Sequence, residues 1–106
     1  MATGRLGYAD LSANTWTVVY TVPTTTFTVA TLNIVNRSNS AIATSVAIST
    51  STTPAAGEYI EYQCEILPRG VLQLTGLVLN AGINILALST TANVGAMAFG
   101  IETSTA

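Results

Sequence analysis

Tyr59-Ile60-Glu61-Tyr62-Gln63-Cys64-Glu65-Ile66 is the stretch on which the fold of this chain turns. Apolar residues at 60, 62, 64 and 66 alternate with Glu61, Gln63 and Glu65. A period of two belongs to a strand with one face in a core and the other in water. The alternation therefore predicts an antiparallel strand with Ile60, Tyr62, Cys64 and Ile66 inward and the two glutamates outward.

Working outward, the same grammar repeats. Trp16 to Val22 alternates, with Trp16, Val18, Tyr20 and Val22 on one face, and stops at Pro23. Phe27 to Val35 places Leu32 and Ile34 together, and Asn36 to Ser40 reads as a turn because Asn and Ser bond their own backbone. Ile42 to Ile48 sets Ile42, Thr44, Val46 and Ile48 against the small residues Ala43, Ser45 and Ala47. Leu67-Pro68-Arg69-Gly70 is a turn, with Pro68 fixing φ and Gly70 supplying a left-handed option. Val71 to Leu79, Ile83 to Leu88 and Val94 to Ile101 complete the strands, and Gly70, Gly76 and Gly82 argue against a helix there.

Short β-branched runs separated by turn signals point to an all-β fold, an antiparallel β-sandwich or jelly roll of about seven to eight strands. The 106 residues make one domain. Its expected divisions are an N-terminal arm over 1–12, the sandwich over 13–102 and a frayed tail over 103–106.

Charged residues are only 8% of the chain, against about 25% in ordinary domains. A small domain normally stays dispersed through mixed surface charge. So little charge predicts that part of the surface is covered by other protein copies. Three arginines and no lysine make nucleic acid an unsuitable partner, since tracking a phosphate backbone takes several cations. No apolar run reaches the ~18 residues of a membrane helix, so no membrane partner is expected. The first residues lack the apolar core of a signal peptide, and synthesis in a cytoplasm is expected.

Chemistry is sparse. The chain has no histidine, which removes Ser-His and Cys-His nucleophiles and histidine metal sites. Glu61 and Glu65, on one strand face, would lie about 13 Å apart, beyond either glycosidase geometry. No catalytic residue, metal or cofactor is expected, and the chain is read as a non-enzyme. Cys64 is the single cysteine and reads as a buried small hydrophobe. Asn36-Arg37-Ser38 matches the glycosylation triplet but reads as an ordinary turn. Trp16, Tyr20 and Tyr62 are expected in the core, with Tyr8 and Tyr59 at the surface. The alternative for these aromatics is a sugar-binding platform.

Several short segments share one pattern: Gly4-Arg5-Leu6-Gly7, Asn14-Thr15, Val19 to Pro23, Asn33 to Arg37, Glu58 to Tyr62, Leu67 to Leu72, and Gly100-Ile101-Glu102. Over about residues 4–102 the chain resembles small virion structural proteins of tailed bacteriophages, including cyanophages. The resemblance implies a β-sandwich on the capsid exterior, acting as a decoration (cement) subunit and often trimeric. Its partners would then be further copies of itself, as a homotrimer, and the major capsid protein. Arg5, Leu6, Tyr8, Asp10, Arg37 and Tyr59 are the candidate capsid or subunit contacts, the first four on an arm that would grip the shell. A tail, neck or fibre component is the alternative, and a free carbohydrate-binding module a further one.

Overall fold

The computed structural model describes residues 3–105. Eight strands and one 3₁₀ turn follow in order: β1 (Thr3–Leu11), β2 (Thr17–Thr21), β3 (Thr26–Asn36), β4 (Ile42–Ser49), the turn Ala56–Glu58, β5 (Tyr59–Ile66), β6 (Val71–Leu79), β7 (Asn84–Ser89) and β8 (Val94–Ser104). They form two four-stranded sheets, ordered β1-β8-β3-β6 and β2-β7-β4-β5. All the strand pairs are antiparallel. Pairing β1 with β8, β2 with β7, β3 with β6 and β4 with β5 is a long hairpin rolled up on itself, which is a jelly roll.

The core lies between the sheets. On β3 the alternation is regular, with Thr28, Ala30, Leu32 and Ile34 buried and the odd-numbered residues outward. Leu32, Ile34, Val46, Ile85 and Val94 are wholly buried. Each such side chain contributes roughly 1.5–3 kcal/mol by leaving water. A polar link ties the layers: the Tyr20 hydroxyl donates to the Glu102 carboxylate and shares a 2.9 Å bond with the Thr28 hydroxyl.

Several expectations are corrected. The N-terminal segment is not a free arm, because Thr3–Leu11 is paired along β8 and Leu11 is buried. Of the tail, Thr103 and Ser104 are not frayed but pair with Phe27 and Thr26. Residues 1, 2 and 106 lie outside the described residues. In β5 the phase of the alternation breaks. Gln63 adopts φ +49 at a bulge, and the register to β4 shifts on both sides of Val46. Tyr62 is therefore 67% exposed and Ile60 is exposed too, although Cys64 and Ile66 keep their inward side. The bulged Gln63 amide donates to the Ser45 hydroxyl at 3.0 Å. At the Leu67–Gly70 turn the left-handed residue is Arg69, at φ +60, rather than Gly70. A Cβ on Gly70 would instead approach the Leu67 carbonyl oxygen to 2.9 Å.

The two sides of the sandwich differ. At one side β1 packs on β2, so closely that a Cβ on Gly7 would sit 2.2 Å from the Val19 carbonyl oxygen. At the other side no comparable packing joins β5 to β6.

Candidate interaction surface

The outer face of the β1-β8-β3-β6 sheet carries the surface that most needs explaining. Cross-strand register aligns its outward residues in rows. One row is Thr3, Ile101, Val29 and Val78, another is Tyr8, Met97, Asn33 and Gln73, and a third is Asp10, Gly95, Val35 and Val71. Of the ten large apolar side chains exposed among the described residues, seven stand on this face: Tyr8, Phe27, Val29, Val71, Val78, Met97 and Ile101. Val78 is 70% exposed and Tyr8 66%. Apolar side chains scattered over a surface need no account, but a contiguous patch of this kind marks a place where another surface sits.

Polar groups gather at the β1 end of the face. The Arg5 guanidinium lies 4.6 Å above the centre of the Tyr8 ring, a cation–π contact. Arg37 is paired with Asp10, both side chains being half or more exposed, so the pair contributes little to stability. Beside them is a shallow hollow of about 340 Å³ lined by Tyr8, Asp10, Asn33, Val35, Arg37 and Met97 among others. The Asn33 Oδ1 is buried there and receives no hydrogen bond from the chain. A buried acceptor without a donor costs about 1–3 kcal/mol.

Of the six residues singled out from sequence, the fold thus brings Arg5, Tyr8, Asp10 and Arg37 to one end of one face. Leu6 does not join them. The register shift between Arg5 and Gly7 turns it inward, where it packs against the core. Tyr59 lies on the other sheet. Sequence reasoning did not single out Val29, Val78, Met97 or Ile101, because their runs are as apolar as the buried ones and the two faces of such a run read alike.

The second sheet carries an aromatic cluster on its outer face. Val18, Leu86, Ala47 and Tyr59 are paired across its four strands. Trp16, just before β2, meets Tyr59 of β5 edge-on at 5.3 Å between ring centres, and Tyr59 meets Tyr62 at 5.6 Å. The two outer strands are separated by β7 and β4, about 14 Å at ordinary strand spacing. The rings must therefore reach over those strands, and Leu86 and Ala47 below are wholly buried despite facing outward. Trp16 and Tyr62 are accordingly not core residues, contrary to expectation.

The reactive groups are quiet. Cys64 is half-buried, and burial first, then the Glu61 carboxylate, pushes its thiol up from the ordinary value. Burial and the bond to Glu102 push Tyr20 up to about 12, the Thr28 bond opposing them. Glu58 is held below its ordinary range by the Ala55 amide, which donates to its Oε1 at 2.8 Å, and then by Ser49. Among the described residues no three His, Cys, Asp or Glu side chains gather as a metal site requires. Asn36 is wholly buried, so its amide is committed to the fold rather than open to a glycan. No family model matches the chain, and no curated protein or solved structure does.

Proposed function

We propose that this chain is a non-enzymatic virion structural protein, a capsid decoration (cement) subunit that stabilises a phage shell by bridging neighbouring capsid subunits. The observation that carries the reading is the apolar outer face of the β1-β8-β3-β6 sheet, bordered by Arg5, Asp10 and Arg37. A subunit that works by being covered requires a rigid scaffold, a broad apolar face and a few polar groups to set its register. A jelly roll supplies the scaffold and is widely used in capsids, although the architecture also serves lectins and cupins. The phage assignment itself rests on the sequence resemblance.

Shells carrying the chain should resist heat or osmotic shock better than shells without it. The double substitution Val29→Lys with Ile101→Lys should weaken binding to shells at least tenfold while leaving the circular dichroism of the free protein unchanged. Equal shell resistance with and without the chain overturns the cementing role.

A second reading has one observation behind it. The half-buried Trp16 and Tyr59 rings and the exposed Tyr62 ring form an aromatic cluster of the kind on which sugar rings stack. That arrangement suits a tail, neck or fibre component that touches a host glycan. Immunogold labelling of virions separates head from appendage.

A further inference from the structure

The sandwich is unfinished along its β5/β6 side. β6 contains Val71, Leu72, Leu74, Leu77, Val78 and Leu79, yet only Leu79 is buried. Leu72, Leu74 and Leu77 point toward the core but stay half-exposed, because β6 is the last strand of its sheet and β5 does not close over it. Leu67, in the adjoining turn, is exposed as well.

An open strand edge is a template for pairing, and proteins normally blunt it with charge, bulges or shortness. Three of the four edges here are blunted. β1 carries Arg5 and Asp10 and a bulge. β5 carries Glu61 and Glu65 and shifts register twice. β2 has five residues and a shift of its own. β6 alone has nine residues with no charge and no proline. Its irregularity lies around Gly76, at φ +73, which leaves Val71 to Leu74 regular.

The ladder shows which backbone groups are spare. The Asn36 amide donates to the Gly70 carbonyl at 2.9 Å, and the pairing of 34 with 72 and 32 with 74 keeps that register. Hydrogen-bonded pairs alternate along an antiparallel ladder. Gly70, Leu72 and Leu74 are therefore turned to β3, and the amides and carbonyls of Val71 and Gln73 are turned to the open edge.

We propose that β6 pairs antiparallel with β6 of a second copy of this chain, across a twofold axis, joining two four-stranded sheets into one of eight strands. The occupant follows from the edges. A different edge of the same protein would present charge, repeated register shifts or a five-residue strand, whereas β6 meeting itself presents two uncharged edges, each regular from Val71 to Leu74 with its one irregularity at Gly76. A closed threefold ring would need β6 to meet a different edge, so the pairing selects a dimer rather than a trimer. It also brings the half-exposed Leu72, Leu74 and Leu77 of both copies to one seam. A strand of nine residues, about 30 Å long, on a two-layer edge about 20 Å thick offers roughly 600 Å² per copy. That makes about 1,200 Å² in all, the lower end of a stable interface.

The proposal rests on reading the chain as an assembly subunit, and the two are tested apart. Light scattering on the wild-type chain should give twice the 10.9 kDa of one chain. Gln73→Pro removes an edge amide that β3 does not use, and proline is tolerated at such positions. It should halve the mass and leave the circular dichroism unaltered. Gln73→Lys keeps the backbone amide and sets like charges near the axis, and it should weaken the dimer at least tenfold. A wild-type monomer or trimer overturns the pairing, as does a dimer that survives both substitutions. A wild-type monomer that still protects shells overturns the pairing alone, and a dimer that leaves shells unprotected overturns the decoration role alone.

Discussion

Asn36 shows how much one buried side chain can organise. Its Nδ2 donates to the carbonyls of Ser40, Ile66 and Leu67, and its Oδ1 accepts from the amide and hydroxyl of Ser38. The residue thereby ties the end of β3 to the turns before β4 and β6. Asn36→Ala removes these bonds, the one to the Ile66 carbonyl being buried, and should cost about 2–4 kcal/mol. Urea denaturation measures it, and a midpoint unmoved by the substitution contradicts the account. Tyr20 makes the other residue-scale prediction. Its folded value of about 12 lies above its ordinary 10.0. The native state therefore holds a proton that the unfolded chain has lost. The contribution of Tyr20 to stability should be constant up to about pH 10 and be lost between about pH 10 and 12, separate from the alkaline loss that the raised Cys64 thiol brings. Tyr20→Phe should make the slope between about pH 10 and 12 shallower, and a Phe variant that keeps the same slope there rules Tyr20 out as its source.

At the scale of elements, the turn residues and β-branched runs place every strand from β2 to β8 to within a few residues, because those preferences are local. The N-terminal strand is the exception. Gly4, Gly7 and mixed polarity make residues 3–11 look loose, and only the β8 partner and the approach of β2 reveal a strand there. Gly7 is what lets β1 lie against the Val19 backbone. Gly7→Ala should cost about 2–3 kcal/mol through overpacking, measured by thermal unfolding. Gly57→Ala, where a Cβ meets nothing within 4 Å, should change stability by no more than about 0.5 kcal/mol. Equal costs at the two positions contradict the close approach.

For the whole molecule, the low charge content and the outer face of the β1-β8-β3-β6 sheet bear on the same problem. Apart from Glu102, an inner-strand residue of β8 bonded to Tyr20, the charged side chains sit at edges and turns: Arg5 and Asp10 on β1, Glu58 in the 3₁₀ turn, Glu61 and Glu65 on β5, and Arg37 and Arg69 beside turns. The middle of the face, from Val29 to Met97 and Val78, has none. Charge at the rim steers and aligns a partner, while an apolar centre supplies the driving force. The shell-binding and light-scattering measurements address the face and the β6 edge separately, so each surface can be tested without the other.

The sequence by itself determined the class of fold, the approximate strands and the poverty of reactive groups. Each of these depends on composition or on neighbours in the chain. Only the tertiary structure decided which apolar side chains are core and which are surface. The alternation in Tyr59–Ile66 was read in the right period but with the wrong phase through Ile60 and Tyr62. A bulge reverses the faces of the residues beyond it until a second shift restores the phase, as happens here before Tyr59. The Gln63 bulge is held in part by a bond from its amide to Ser45, on another strand eighteen residues earlier. Likewise Val29, Val78 and Ile101 are as apolar as Ile34 or Leu32, and nothing local distinguishes them. Whether such a residue is covered depends on which strand lies opposite it, and that is a property of the roll of the chain.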